Sequence, residues 1–206
     1  MATFSANIAS YSLTEFNRES EGLGWSFDSS RVALLVHDFL PYYLQVLTAQ
    51  LQEELIKSVQ IVVDWAQQNG VPVVRSAPRP ATAIEQRGIG GKLWGLGPTA
   101  SQVNESLVQA LDDVPCVYKR SLSAFYATDL DVELRRLGRN QLAVVGIFAS
   151  GGIIATSFDA LARDIEYFVV ADAIADYSAE RHLNVLRLIG ASTGQVINLQ
   201  ELVTKQ

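Results

Sequence analysis

The chain has 206 residues, of which 49% are hydrophobic and 18% are charged. This composition is too apolar for a disordered protein, and the length suits a single domain with a full hydrophobic core. The net charge of −6, without a cluster of Lys and Arg, argues against nucleic acid and anionic membranes as partners. The single cysteine, Cys116, excludes an internal disulfide and a Cys-based zinc site, which suits a reducing cytoplasm.

The first 30 residues are polar and rich in serine, without a sustained hydrophobic period. They are predicted to form an amino-terminal arm that packs on the domain or on a partner subunit, ahead of one α/β domain over residues 31–206. The arm lacks the basic and apolar regions of a signal peptide, and no apolar run approaches the roughly 20 residues that span a bilayer. The sequence therefore predicts an untargeted, cytoplasmic protein.

Apolar runs of strand length alternate with amphipathic segments along the rest of the chain. The first strand is predicted at 31–37, where nearly every residue is apolar, as in a parallel strand covered on both faces. Apolar residues recur every three or four positions over 42–69, and Gly70 follows as a helix-ending residue would. The same patterns predict strands at 71–76, 116–119, 141–148, 167–171 and 195–199, and helices at 103–111, 132–137, 153–163 and 181–189.

This alternation predicts an α/β fold in which right-handed βαβ crossovers build a parallel sheet. The expected architecture is a doubly wound three-layer sandwich, with a six-stranded parallel sheet and helices on both faces. The sequence contains no internal repeat of about 20–50 residues, which excludes solenoid and propeller folds.

The segment 77–98 is the one long irregular stretch, and it contains five of the 14 glycines. Such a connection inside a compact domain is usually functional or mobile. A P-loop that included Lys92 would need glycine at Gln86 and a hydroxyl residue at Leu93. A dinucleotide-binding motif that began at Gly88 would need glycine at Leu93. Both nucleotide-binding motifs are therefore excluded.

Polar residues follow three of the predicted strands, where ligands of open parallel sheets bind. Asp38 follows the first strand, Lys119 ends the third, and the turn 150–152 follows the fourth. A carboxylate and an ammonium at one rim adjust each other's ionisation, and a Gly-Gly turn leaves backbone N–H groups free to face an oxygen. These residues predict an acid–base site with an anion-binding wall. The alternative is a salt bridge at the rim beside an ordinary tight turn.

Other side chains are weaker candidates for chemistry. His37 and His182 are the only histidines and do not form a His-x-x-x-His pair, so no metal and no cofactor is predicted, with a carboxylate-bound magnesium ion left open. Cys116 lies within a strand, where cysteine is usually a small buried apolar residue. His37 points away from the face of its neighbour Asp38 in a regular strand, which favours a supporting role.

A serine hydrolase is one alternative from the residues alone. Ser150 follows a strand and precedes a helix, and Asp172 or Asp176 and then His182 come later in the chain, as in that superfamily. However, Phe148 stands where the nucleophile turn needs glycine, and His182 falls within a predicted helix.

Several motifs occur together and in the order of a known family. They are Ala33-Leu-Leu-Val-His-Asp38, Glu85-Gln-Arg-Gly88, Leu93-Trp-Gly95, Lys119-Arg-Ser-Leu-Ser-Ala-Phe125, Gly146-Ile-Phe-Ala149, Phe158-Asp-Ala-Leu-Ala-Arg-Asp-Ile165 and Val169-Val-Ala-Asp-Ala-Ile-Ala-Asp-Tyr-Ser178. From about residue 25 to its end, the chain thus resembles isochorismatase-type hydrolases of the cysteine-hydrolase superfamily, in particular those of phenazine and siderophore pathways.

The resemblance implies hydrolysis of the enolpyruvyl ether of a chorismate-derived substrate, either isochorismate or its 2-amino-2-deoxy analogue, with release of pyruvate. It places the family's catalytic aspartate at Asp38 and its lysine at Lys119. Cysteine-using members carry their nucleophile at the position of Gly152, so no covalent intermediate is expected here. The resemblance also implies a homodimer or larger homo-oligomer. The substrate-binding residues that we expect are Arg87, Trp94, Phe148, Ser150, Gly151 and Gly152.

Three polar positions of the related enzymes differ in this chain, which has Ala77, Phe148 and Ser150 in place of glutamine, tyrosine and histidine. Each lost hydrogen bond to a charged group is worth roughly 1.5–3 kcal/mol. The substrate or its affinity is therefore expected to differ, unless donors such as Ser76, Ser150 or Arg79 compensate. A non-catalytic oligomeric binding protein on the same fold is the alternative function.

Gly152 is expected to leave room for the substrate. In this hypothesis the ring of the ligand lies close against the turn 150–152, where any Cβ at position 152 would intrude on it. Substitution of Gly152 would then impair turnover and leave the fold largely intact.

Overall fold

The computed structural model describes residue 8 and residues 10–204. Six strands form one sheet, in which every neighbouring pair is parallel and the order is β3-β2-β1-β4-β5-β6. The predicted six-stranded parallel sheet is therefore confirmed. The strands are β1 (Val32–His37), β2 (Val73–Pro78), β3 (Cys116–Lys119), β4 (Gln141–Ile147), β5 (Glu166–Ala175) and β6 (Gln195–Ile197).

Helices cover both faces of this sheet. The α-helices of the described residues are α1 (Pro41–Leu44), α2 (Ala49–Gln68), α3 (Ile89–Trp94), α4 (Leu130–Arg136), α5 (Ile154–Leu161), α6 (Ala179–Ser192) and α7 (Leu199–Thr204). Helix α2 packs on the central strands and against α7, whereas α5 and α6 contact each other and β5. Every residue of β1 and β4 is buried, as parallel strands covered on both sides must be. None of these helices has the length and apolar character that crossing a membrane requires.

The order of the strands reverses at the centre of the sheet. The chain builds β1, β2 and β3 outward in one direction, and then returns to β1 and builds β4, β5 and β6 in the other. The connections that leave β1 and β4 therefore diverge and open a crevice at their carboxyl ends. Gly146 lets these two strands approach, because its φ is +110° and a Cβ there would overlap the backbone of His37.

The predicted helix over 42–69 is divided into α1 and α2. Thr48 has extended backbone angles, and its hydroxyl accepts a hydrogen bond from the N–H of Leu51, so it caps the second helix. The apolar spacing of α2 was predicted correctly, because its repeated leucines and valines are buried against the sheet.

The predicted helix over 103–111 is wrong. The segment forms two short 3₁₀ turns, Gln102–Asn104 and Gln109–Leu111, with extended backbone between them. The Ser106 hydroxyl donates to the carbonyl of Val108 at 2.7 Å, and this local bond competes with helical hydrogen bonding. Of the apolar residues that suggested a helix, Val103, Val108 and Leu111 are buried all the same and Leu107 is partly buried.

Other element boundaries also differ from prediction. The segment 77–98 is not wholly irregular, since it contains a 3₁₀ turn, Ile84–Arg87, and helix α3. Strand β5 continues to Ala175, four residues beyond the predicted end at 171. Strand β6 ends at Ile197 because Asn198 accepts the N–H of Glu201 and begins α7, which was not predicted.

The described part of the arm packs into the core through Tyr11, Leu13 and Phe16. Phe16 stacks on the imidazole of His182 with ring centres 3.9 Å apart. The Nε2 atom of His182 lies 3.0 Å from the carbonyl of Ala171, and its Nδ1 lies 3.2 Å from the Tyr11 hydroxyl. Burial lowers the pKa of His182 to about 3, so the ring is neutral in the folded protein.

We expect stability to decrease as the pH falls below about 6.5, because His182 takes up a proton when the chain unfolds but not while it is folded. In this range the unfolded state binds more protons, so the free energy of unfolding falls by up to about 1.4 kcal/mol per pH unit from this group. Urea unfolding at pH 7 and pH 5 tests this for the wild type and for His182→Gln. Between pH 7 and pH 5 the free energy of unfolding should fall by about 2 kcal/mol less in the variant than in the wild type. An equal fall in both would contradict the lowered pKa of His182.

Candidate active site

A pocket of about 550 Å³ opens at the carboxyl ends of the strands. Its walls come from the segments that follow β1, β2, β3, β4 and β5, on both sides of the crevice between β1 and β4. All the site residues predicted from the sequence line it, namely Asp38, Arg87, Trp94, Lys119, Phe148, Ser150, Gly151 and Gly152.

Asp38 and Lys119 form a buried ion pair at the base of this pocket. The Nζ atom of Lys119 lies 2.7 Å from Oδ2 of Asp38, and it also donates to the carbonyl of Ser121 at 3.1 Å. The hydroxyl of Ser76 donates to Oδ1 of Asp38 at 3.1 Å. The side chains meet because the parallel register aligns His37 with Ser76 and Pro78 with Lys119, which brings the strand ends to one rim.

The backbone of Asp38 turns its side chain into the pocket. Its φ is +48°, in the left-handed region, and its N–H donates to the carbonyl of Ser76 at 3.1 Å. A non-glycine residue in this region is uncommon and recurs at functional sites. The structure therefore presents an acidic group beside a cation, partly shielded from water.

His37 supports the base of the pocket from inside the sheet. The side chain is fully buried, and its Nδ1 lies 3.0 Å from the carbonyl of Ile147 and 3.8 Å from Oδ2 of Asp38. Burial, more than any neighbouring charge, lowers the pKa of His37. The neutral ring therefore fills space between β1 and the turn that follows β4.

That turn spans Ala149–Ile153 and is fixed by Asp176, which is fully buried. The Asp176 carboxylate accepts hydrogen bonds from the N–H of Ser150, from its hydroxyl at 3.0 Å, and from the N–H of Tyr177 at 2.7 Å. The N–H of Gly151 donates to the carbonyl of Phe148 at 3.0 Å. The predicted anion-binding wall is therefore wrong for these two N–H groups, because protein acceptors occupy both.

The serine-hydrolase alternative is contradicted by the same contacts. The Ser150 hydroxyl bonds a carboxylate and not an imidazole. Both ring nitrogens of His182 are occupied, by Ala171 and Tyr11, and its lowered pKa makes it a poor base near neutral pH.

Gly152 is needed for a reason other than the predicted one. A Cβ at this position would overlap the Cε1 atom of His37, and it would lie 2.6 Å from Nε2 of that ring and 2.9 Å from the carbonyl of Leu122. The space beside Gly152 is thus filled by a side chain of the protein. The hypothesis that a Cβ at Gly152 would meet the ligand first is therefore wrong.

The pocket is strongly basic, although the chain carries a net charge of −6. Asp38 is the single acidic residue in the described lining, and it is already paired with a lysine. Clefts lined by one sign of charge attract ligands of the opposite sign. The basic residues of the lining are Arg79, Arg87, Lys119, Arg120 and Arg181.

Aromatic rings form the apolar part of the wall. Phe148 stacks on Tyr177 with ring centres 4.5 Å apart and an angle of 12°, and its edge meets Tyr43 at 6.2 Å. Trp94 lies at the mouth and is 38% exposed. Nη1 of Arg87 donates to the carbonyl of Gly95 at 2.7 Å, which leaves further guanidinium N–H groups for a ligand. A flat, partly apolar anion therefore suits the pocket.

The Cys116 thiol and a metal-binding cluster are the remaining candidates for chemistry, and neither is part of the described lining of this pocket. Cys116 is half-buried in β3, and burial raises the pKa of its thiol to about 11, so the thiol is protonated near neutral pH. Within residues 8 and 10–204, no three His, Cys, Asp or Glu side chains cluster closely enough to hold a metal ion.

Comparison with known proteins agrees with this architecture. Residues 32–201 match the isochorismatase domain. Among solved structures, a cysteine hydrolase from Pseudomonas syringae pv. phaseolicola superimposes with a TM-score of 0.73 at 19% identity, over 91% of this chain and 97% of that one. A pyrazinamidase/nicotinamidase from Streptococcus mutans gives 0.72 at 22% identity, over 81% and 99%. These two structures show the shared fold.

Curated relatives are more similar in sequence. A probable isochorismatase from Pseudomonas chlororaphis is 37% identical over 182 residues, which are 87% of this chain and 88% of the relative. Enterobactin synthase component B of Escherichia coli (strain K12) is 34% identical over 185 residues, which are 87% of this chain and 65% of that protein. The family model and these relatives indicate that the chain is a hydrolase, and its fold is of the α/β class. It belongs to the isochorismatase family.

Proposed function

We propose that the protein hydrolyses the enolpyruvyl ether of isochorismate, or of a close analogue such as 2-amino-2-deoxyisochorismate, and releases pyruvate and a dihydro-hydroxybenzoate-type product. The buried pair of Asp38 and Lys119 within a basic pocket is the observation that carries this proposal. The names of two relatives support it, since one is a probable isochorismatase and another is the phenazine biosynthesis protein PhzD from Pseudomonas fluorescens, each 37% identical.

Asp38 acts as the general acid in this mechanism. Its carboxylic acid transfers a proton to the terminal methylene carbon of the vinyl ether, which becomes a methyl group, and positive charge develops at the ether carbon. Water adds to that carbon and returns a proton to the Asp38 carboxylate. The resulting hemiketal collapses to the ketone of pyruvate and a ring hydroxyl. No bond to the protein forms, which fits the absence of a side chain at Gly152.

Lys119 places a substrate carboxylate beside the acid. Its Nζ atom lies 2.7 Å from Oδ2 of Asp38, so a carboxylate that binds Lys119 also lies close to Asp38. One contact thus holds the substrate next to the group that protonates it.

The other residues orient the substrate. Arg87 binds a carboxylate through its free N–H groups, because a guanidinium matches that group bidentately. Trp94 covers the ring at the mouth, Phe148 contacts it from the side, and the turn of Ser150, Gly151 and Gly152 closes the wall behind it. Ser76 does not compensate for the glutamine that Ala77 replaces, because the Ser76 hydroxyl donates its hydrogen bond to Asp38.

We expect the purified protein to release pyruvate from at least one of the two substrates without any added cofactor. Pyruvate is measured by coupling to lactate dehydrogenase, with isochorismate and 2-amino-2-deoxyisochorismate in separate reactions. Iodoacetamide should leave the rate unchanged, since no thiol takes part. Binding of both compounds without pyruvate release would contradict the proposal and support the binding-protein alternative. Assembly into a homodimer or larger homo-oligomer stays a prediction of the resemblance, and a cytoplasmic location stays a prediction of the sequence.

A further inference from the structure

Arg181 places a positive charge on the side of the pocket away from the other basic residues. It lies in the first turn of α6, after β5, whereas Arg87 follows β2 and Lys119 ends β3. Asp38 follows β1, which lies between these two groups of strands in the sheet. Cationic side chains therefore flank the acid from both sides of the crevice.

The guanidinium of Arg181 is oriented by an aromatic stack rather than by a carboxylate. Its central carbon lies 5.4 Å from the centre of the Tyr177 ring, which in turn stacks on Phe148. Arg181 takes part in none of the ion pairs formed within residues 8 and 10–204. A cation held over an aromatic face keeps its in-plane N–H groups available for an anion.

Phe148 extends this stack. Its ring lies on Tyr177 with centres 4.5 Å apart, and the guanidinium carbon of Arg181 lies 5.4 Å from the centre of the Tyr177 ring. All three residues line the pocket, so the stack holds a charged donor at the pocket wall.

We propose that Arg181 binds the second carboxylate of the substrate and makes the pocket selective for dicarboxylates whose two acidic groups lie on either side of the reacting bond. The inference rests on the proposed function, since isochorismate and its 2-amino analogue each carry one carboxylate on the ring and one on the enolpyruvyl group. Arg87 and Lys119 bind one carboxylate, and Arg181 binds the other.

Kinetics of Arg181→Gln test this role. We expect KM to rise about 10-fold with kcat changed less than about twofold, because a charge-assisted hydrogen bond contributes to binding more than to the protonation step. Arg181→Lys keeps the charge without the planar fork and should give an intermediate KM. Arg187→Gln is the matched control, since Arg187 is exposed on the same helix and lies outside the pocket. Wild-type KM for Arg181→Gln would overturn the inference.

A binding measurement separates this inference from the proposed function. Calorimetric titration with benzene-1,3-dicarboxylate and with benzoate should show a preference of the wild type for the dicarboxylate, and Arg181→Gln should lose that preference. If this preference is found and the wild type releases no pyruvate, the role of Arg181 is supported and the proposed reaction is refuted. If Arg181→Gln prefers the dicarboxylate over benzoate as strongly as the wild type and Arg187→Gln do, the role of Arg181 is refuted, even if the protein releases pyruvate.

Discussion

Asp38→Asn is expected to lower kcat at least ~10²-fold, because the amide has the shape of the acid but cannot supply a proton to carbon. KM should change much less, since the basic residues that bind the substrate remain in place. Steady-state pyruvate release measures both constants. A variant that kept a tenth of the wild-type kcat would exclude Asp38 as the general acid. Asp159→Asn is the control, because Asp159 lies in α5, outside the pocket, in an ion pair with Arg163.

The stability of the Asp38→Asn variant needs its own control. Removing the carboxylate leaves Lys119 as a buried cation without its partner, and breaking a buried pair in this way costs about 3 kcal/mol. The double variant Asp38→Asn/Lys119→Met removes both charges and keeps the volume. We expect it to regain most of the lost stability in urea unfolding and to remain inactive. Recovery of activity together with stability would show that the single variant had failed through misfolding.

Gly152→Ala is expected to destabilise the fold by at least about 2 kcal/mol, because the new methyl group overlaps the buried His37 ring. The loss should appear in urea unfolding in the absence of any ligand. Gly90→Ala is a suitable glycine control for stability, since Gly90 lies within α3 and its Cβ would meet only the Trp94 side chain, at 3.4 Å. Wild-type stability of Gly152→Ala would contradict the steric assignment.

A second substitution makes this test specific. His37→Ala removes the ring that the methyl group meets, so the double variant His37→Ala/Gly152→Ala should be more stable than the sum of the two single effects by about 1–2 kcal/mol. Strict additivity would show that the two positions do not interact. Introducing a cysteine at position 152 therefore requires a smaller residue at position 37, and Gly152→Cys alone should unfold more readily without acquiring thiol-dependent activity.

The sheet could be predicted because its signals are local. Buried parallel strands such as β4 contain a continuous apolar run, here 142–147, and Gly70 and Gly138 separate helices from strands. The segment 103–111 has helical spacing but lacks a helix, because Ser106 bonds its own backbone neighbours. The spacing of the apolar residues in this segment thus indicates which side chains pack into the core. It does not determine the backbone conformation, because the local hydrogen bond of Ser106 competes with a helix.

The site could be predicted only in part, for a related reason. The rule that ligands bind at the carboxyl ends of strands selects Asp38 and Lys119, and the resemblance adds Arg87 and the turn 150–152. Asp176 fixes that turn across 26 residues of sequence, which no local pattern reports. Arg181 is exposed in the first turn of an amphipathic helix, so the sequence does not distinguish it from cations on the outer surface.

The strand order has a consequence for how the protein acquires its active site. Groups that come from the ends of five strands meet only after the chain has closed loops between residues as distant as Asp38 and Arg181. Non-local closures of this kind slow folding, because the entropy of a long loop is lost before its contacts form. While β5 and α6 are still being synthesised, the nascent chain carries its acid and four of the five basic residues of the pocket, but it lacks Arg181. The pocket is therefore complete only after β5 and α6 have joined the sheet.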